Sequence, residues 1–341
     1  MALSRARIFA AACAASFALV ALAPGAALVD RRFEGATTLS GAPARAAIGD
    51  ARGPANGASF DSWLEAHKLP VGDAVTRAVE ILKKHGMGAF DAVSAGIRAT
   101  IGAVDWLLRL IPAGVLIAAA AVLAWVLRRS LPLAVFVAAA LLFIMNQGYW
   151  SETLETLTLV LVAALLSTVL GVPLGIVAAR RPGFYAVLRP VLDLMQTLPT
   201  FVYLTPTLVL FGLGVVPGLI STVIFALPAP IRMTHLGISS VPKALVEAGE
   251  AFGATPLQRL LKVELPSAAP TILAGITQCI MLSLSMVVIA ALVGAGGLGV
   301  PVVRALTTVQ VGMGFEAGLA IVLLAIVLDR LSRPADSAES K

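Results

Sequence analysis

Few side chains in this chain can do chemistry, and their spacing excludes most of the chemistries they suggest. Gly294, Gly296 and Gly299 match the Gly-x-Gly-x-x-Gly spacing of a dinucleotide-binding turn. That turn works only after a short strand and before a helix, where backbone N–H groups meet a pyrophosphate. Here a long apolar run, Ala268 to Val293, precedes it, so the glycines read as a helix break. No Gly-Lys dipeptide occurs, so there is no Walker A loop to cradle a nucleotide phosphate. Cys13, Cys279, His67, His85 and His235 show no ligand spacing and no disulfide framework. No nucleophile stands beside a base. The sequence therefore reads as a non-enzyme with no cofactor and no metal. Asp193, Arg232, Glu316 and Asp329 border apolar runs, and carboxylates inside such runs would mark an ion-coupled carrier. All four sit near the ends of those runs. Asp193 follows Arg189 by four residues, which suits an i,i+4 ion pair; a gate or coupling role is the other reading.

The element that must position any function is the one long polar interval of the C-terminal half, Val241 to Pro266. Ser240 and Pro242 open a short helix, and Leu245, Ala248 and Phe252 give it one apolar face. Gly253 falls where a left-handed residue ends a helix. Thr255, Pro256 and Gln258 then supply an N-cap, a first-turn proline and a capping box for a second helix, which Pro266 is expected to stop. The interval is thus predicted to be a helical hairpin between two membrane spans.

This hairpin resembles the EAA loop of ABC importer membrane subunits. That pattern reads Glu-Ala-Ala, three residues, Gly, nine residues, Ile-x-Leu-Pro. Here it is Glu247-Ala248-Gly249, Gly253 and Val263-Glu264-Leu265-Pro266, with every spacing kept. Gly249 stands for the second Ala and costs about 0.5–1 kcal/mol of helix propensity; Val263 stands for Ile. Arg189 to Pro199 with Phe201 to Leu204, Leu284 to Ala290, and Gly296-Gly297-Leu298-Gly299 are similar to ProW-type permeases of glycine betaine, proline betaine and choline importers. The similarity runs from about Trp106 to Arg333. It implies a type I importer permease that pairs as a homodimer, docks an ABC ATPase inside and receives substrate from an extracytoplasmic binding protein. ATPase docking then falls to Glu247, Ala248, Gly249, Phe252, Gly253, Leu265 and Pro266. Candidates for the pore or gate are Asp193, Gln196, Phe201, Tyr203, Ser285 and Met286, and the Gly294–Gly299 break becomes a flexible outer turn lining the substrate path.

Composition agrees with a chain embedded in lipid. Apolar residues make up 59% of 341, only 13% are charged, and mean hydropathy is +0.94, whereas soluble chains are near one quarter charged. The net charge of +6 fits cytoplasmic Lys and Arg flanking spans, not nucleic-acid binding. Residues 1–29, with Arg5 and Arg7 ahead of an apolar run, read as a signal peptide or a signal anchor. Residues 30–59 read as a flexible tail. Residues 60–109 alternate apolar and charged residues at helical spacing and are expected to form amphipathic helices, either bracing the first span or merely linking to it. Residues 334–341 form a cytoplasmic tail.

Residues 110–333 are expected to form an all-α, polytopic transmembrane domain of the type I importer fold, with about seven core spans. They are Ile111–Leu127, Leu131–Met145, Glu155–Ala179, Met195–Leu213, Val216–Arg232, Ala268–Val293 and Ala317–Leu328; Gly171, Pro173 and Gly175 interrupt the third. Arg128 and Arg129, Arg180 and Arg181, Lys243 and Lys262, and Arg330 and Arg333 fall on alternate sides of successive spans, which places the hairpin in the cytoplasm. The chain is multi-pass in a bacterial inner membrane. Quaternary ammonium ligands are held in aromatic cages, yet only Phe201, Tyr203, Phe211 and Phe225 lie near a pore. Selectivity is therefore expected in the separate binding protein. A stand-alone ion-coupled carrier or channel is the alternative. In a background with Cys13 and Cys279 replaced by serine, Ser59→Cys should react with an impermeant thiol reagent on intact cells. Gln258→Cys should not, and its labelling would reverse the topology.

Overall fold

The computed structural model describes residues 71–332, and every element there is helical. The expectations for residues 1–29, 30–59 and 334–341, and for the start of the 60–109 segment, lie outside the described residues. The rest of that segment is a single helix, α1 (Val71–Leu110). Its inner face carries Ile97, Ile101 and Val104, which pack on Leu159, Val162, Leu219 and Ala290. Phe90 meets Phe211 edge-on at 5.3 Å.

Pro112 ends α1, because a proline in mid-helix lacks an N–H and clashes with the preceding turn. The chain then bends by 96° into α2 (Ala113–Arg128) and returns as α3 (Leu131–Asn146). Helix α4 (Trp150–Arg180) follows. It continues into α5 (Pro182–Thr197) and α6 (Thr200–Phe211), which meet at a 97° bend. Helices α7 (Val215–Ala226) and α8 (Pro228–Ser239) form one apolar stretch. The polar hairpin contributes α9 (Lys243–Ala251) and α10 (Pro256–Arg259). Helices α11 (Leu265–Ser285), α12 (Val287–Leu292), α13 (Gly299–Thr308) and α14 (Val311–Ser332) complete the fold.

Helix α8 is clamped between α4 and α11, and glycine makes the clamp. Gly171 and Gly175 form a Gly-x-x-x-Gly face on α4, a spacing that lets membrane helices approach backbone to backbone. A Cβ on Gly171 would lie 2.7 Å from Pro230 Cγ. One on Gly175 would lie 2.6 Å from Thr234 Cβ and 2.7 Å from the Ile231 carbonyl oxygen. On the other flank a Cβ on Gly275 would meet Met233 Cβ at 2.6 Å, and one on Gly237 would meet Thr271 Cβ at 3.1 Å. Gly171, Gly175 and Gly275 have no room for a side chain, and Gly237 is tight. Lipid supplies no hydrophobic drive between helices, so such fitted contact and its dispersion energy hold them together.

Several expected boundaries move. Gly171, Pro173 and Gly175 do not interrupt α4, which runs unbroken for 31 residues; the glycines are packing surfaces instead. The span expected over Met195–Leu213 is broken at Leu198, whose backbone is extended (φ −64°, ψ 136°), as a residue before proline prefers. Pro266 does not stop the second hairpin helix. Pro256 to Leu292 is one 37-residue helical run, with Pro266 in the first turn of α11 and a π-helical turn over Leu260–Glu264 just before it. Helix α13, between Val293 and Ala317, was not expected. Among the described residues, four helical stretches are long and apolar enough to cross a membrane, and six if each bent pair counts as one. Reaching seven requires the 16-residue α3 as well.

Gly175→Ala is expected to cost roughly 1–3 kcal/mol by overpacking, seen as a lower unfolding temperature of the purified protein. Gly183→Ala, which has open space around it, should change stability by no more than about 0.5 kcal/mol.

Candidate functional site

The Val241–Pro266 hairpin is built by local rules and then fastened by one buried carboxylate. Gly253 adopts φ +76°, and the Ala254 N–H donates to the Gly249 carbonyl (3.1 Å) while the Gly253 N–H donates to Glu250 (2.9 Å). This is a Schellman closure, which satisfies carbonyls that a helix end would leave open. At the second start, Thr255 Oγ1 accepts from the Gln258 N–H (3.3 Å), and Gln258 Oε1 accepts from the Thr255 N–H (2.9 Å). The capping box is complete.

Glu264 is buried, with only 6% of its surface exposed. Its two oxygens take Arg259 Nε (2.9 Å) and Arg180 Nη2 (3.2 Å). The same Arg180 nitrogen donates to the Pro256 carbonyl (3.3 Å), and Arg259 pairs with Glu250 on the first helix. Glu264 thus joins the inner end of α4 to both arms of the hairpin. Sequence reasoning passed over it because it occupies the unspecified position of the Val263-x-Leu265-Pro266 segment. A carboxylate among Arg180, Arg259 and Lys262 on the basic side of the membrane was the available signal.

The docking candidates form an open surface. Glu247 and Ala248 are exposed, Gly249 and Leu265 are half-buried, and Pro266 and Gly253 are exposed. Phe252 is 92% exposed, and Leu257 beside it is 63% exposed. A Cβ on Gly249 would find only ordinary contact with Val263 Cγ2 at 3.5 Å, so that glycine is not demanded by space.

The pore candidates are dispersed. Asp193 does not pair with Arg189. Its Oδ1 takes Arg232 Nη2 from α8 at 2.5 Å, because the 97° bend swings α5 alongside α8; Tyr185 stacks on His235 in the same seam (3.7 Å between ring centres). Gln196 is half-buried, while Phe201 and Ser285 are exposed. Tyr203 is buried with its hydroxyl donating to the Met195 carbonyl, and Met286 has no exposed surface. These two therefore sit inside the protein wall and not on a passage surface. Sequence reasoning missed Gln278, which is exposed on α11 seven residues before Ser285, on the same helix face.

At the opposite end of α4, the Gly294–Gly299 turn is fastened rather than flexible. The Gly297 N–H (φ +101°) donates to Glu155 Oε2 and the Leu298 N–H donates to Thr156 Oγ1, each at 2.8 Å. A side chain on Gly296 would collide with Glu155 Oε2. Arg109 of α1 donates to Asp105 (2.8 Å), Glu155 (3.1 Å) and Ser151 (3.1 Å). Among the described residues no His, Cys, Asp and Glu cluster has a metal-binding arrangement.

Residues 171–336 match the family described as binding-protein-dependent transport system inner membrane component. The chain is 48% identical over 266 residues to the glycine betaine transport system permease protein OpuAB of Bacillus subtilis, covering 78% of this chain and 94% of that protein. The chain belongs to this permease family. It is therefore the membrane subunit of an ABC importer of the inner membrane, and ATP is hydrolysed by a separate subunit. An ATPase and a substrate-binding protein are its partners as a class. The permease is also 44% identical over 265 residues to the glycine betaine/proline betaine permease ProW of Escherichia coli, covering 78% of this chain and 75% of that protein. It is 44% identical over 268 residues to the glycine betaine/carnitine permease GbuB of Listeria monocytogenes, covering 78% and 95%.

Glu264→Ala would leave Arg180 without its carboxylate partner and Arg259 with Glu250 alone. Breaking such a buried pair costs about 3–5 kcal/mol, reduced here by the partial exposure of both arginines. The expected result is a permease that inserts but has a protease-sensitive hairpin, with Arg180→Ala giving a milder form. Unchanged proteolysis in Glu264→Ala would remove the carboxylate as the fastening.

Proposed function

We propose that this permease moves a quaternary ammonium osmolyte such as glycine betaine, proline betaine or choline into the cell. It works as a homodimer driven by ATPase subunits that dock on the α9–α10 hairpin. The single observation that carries the docking is the hairpin itself: a doubly capped, charge-fastened element that presents an almost fully exposed Phe252 on the basic side of the membrane. An exposed aromatic on a rigid polar element is the kind of anchor that fills a partner's pocket. Glu247, next to Ala248 on α9 and five residues before Phe252, meets the rim of that pocket.

The printed names of the relatives support the substrate class, as do the ProW-like segments Arg189–Pro199 and Leu284–Ala290. The exposed face of α11 supports pairing. Gln278 and Ser285 are polar groups on an apolar helix, and polar groups facing lipid are unfavourable, so this face suits a water-filled passage between two copies. Asp193, Gln196 and Phe201 are the remaining gate candidates, with Asp193 restrained by Arg232.

Gly253→Asp and Glu247→Arg should leave the permease inserted but weaken co-purification of the ATPase. Gly253→Asp should be worse, because a side chain in the left-handed region adds roughly 1–2 kcal/mol of strain. Purified complex with its binding protein should show ATPase stimulation by glycine betaine or a related quaternary ammonium. Stimulation by sugars or oxyanions alone would overturn the substrate class, and full ATPase retention in both variants would remove the hairpin as the docking element.

A further inference from the structure

We propose that the cavity between α1 and the outer ends of α4 and α7 is a binding site for a small zwitterion. It is a hollow of about 420 Å³ lined by Arg98, Ile101, Asp105, Glu155, Thr158 and Val215, among others. That volume falls in the range of small-molecule sites, roughly 300–1,000 Å³.

Two polar atoms in this lining are buried without a partner, Asp105 Oδ1 and Thr158 Oγ1, and Thr158 is only 1% exposed. Orphaned buried polar groups are costly and call for a ligand or water. The other carboxylate oxygens are already engaged. Asp105 Oδ2 and Glu155 Oε1 take Arg109, and Glu155 Oε2 takes the Gly297 N–H. The Arg98 guanidinium is the exposed polar group of the lining, while Asp105 Oδ1 and the Thr158 hydroxyl lie just beneath its surface and are reached by a small side-chain movement.

The charges sort into two poles. Asp105 and Glu155 together exceed the single positive charge of Arg109, which leaves one end negative; Arg98 makes the other end positive. The positions of Arg98 and Asp105 lie two turns apart on one face of α1, about 10 Å along its axis. Two contacts of ~3 Å each leave room for opposite charges about 4 Å apart, the separation within a betaine or an amino acid. A simple cation would satisfy only one pole, and an anion would meet two carboxylates. Val215 and Ile101 supply apolar wall for methyl groups. The site lies beside the fastened Gly296–Gly297 turn, so an occupant touches α1, α4 and that turn together.

This site rests on the osmolyte reading only for its choice of probe. The purified permease–ATPase complex, in nanodiscs without its binding protein, is offered radiolabelled glycine betaine and, separately, radiolabelled proline. At least one should bind saturably. Arg98→Gln and the near-isosteric Thr158→Val should each weaken that binding tenfold or more. Choline, which lacks the carboxylate, should compete at least tenfold less well than glycine betaine in the unaltered protein, and no less well in Arg98→Gln. Absence of saturable binding, or affinity unchanged in Thr158→Val, overturns the site. Uptake by the complete system separates the two readings. Betaine uptake without binding here removes the site and leaves the transport reading intact. Proline binding here without any betaine uptake keeps the site and removes the osmolyte assignment.

Discussion

The close approach of the α4, α8 and α11 backbones is the constraint on which the rest depends. Helix α8 fits between α4 and α11 only because Gly171, Gly175, Gly237 and Gly275 leave no side chain in the seam. Contacts of this kind are short-ranged, so they fix position, tilt and rotation together. With α8 seated, both ends of α4 acquire defined addresses. Its inner end brings Arg180 to Glu264, and its outer end brings Glu155 and Thr156 to the Gly297–Leu298 backbone. One 31-residue helix thus carries the anchorage of the hairpin at one end and of the Gly294–Gly299 turn at the other.

Charge is used sparingly and only where it fixes geometry. The ion pairs of the described residues gather at helix ends, and each crosses between elements or closes a hairpin, apart from the Arg109–Asp105 pair within α1. Arg128 likewise reaches the Arg330 carbonyl oxygen at 3.3 Å, tying the inner ends of α2 and α14. Most of these pairs are partly exposed, so each contributes little to stability alone. Glu264 differs because burial raises the penalty for leaving it unpaired.

What was legible in the sequence was what short-range rules decide. The hairpin's Gly253 and its Thr255–Gln258 capping box depend only on residues within one or two turns, and they stand where the spacing put them. Long-range partners were not legible. Asp193 has a cation four residues away and another thirty-nine residues away on α8, and only the bend between α5 and α6 chooses the second. Gly171 and Gly175 carried two meanings, helix break and packing face, which local sequence does not separate. Pro266 reads as a stop in isolation, but the Leu265 N–H before it donates to the Leu260 carbonyl across the π turn, and the helix runs on through the proline. Helix α13 escaped notice because Gly299, Pro301 and Arg304 dilute its apolar pattern, although its buried side packs on α12 and α14.

The π turn over Leu260–Glu264 has a mechanical meaning. It holds one residue more than an α-helical turn would, near the hairpin end of the run Pro256–Leu292 that joins hairpin to span. Releasing or shifting that extra residue changes helical phase by about 100° per residue. A load applied at the hairpin would therefore reach α11, the helix of Gln278 and Ser285, as torque as well as thrust.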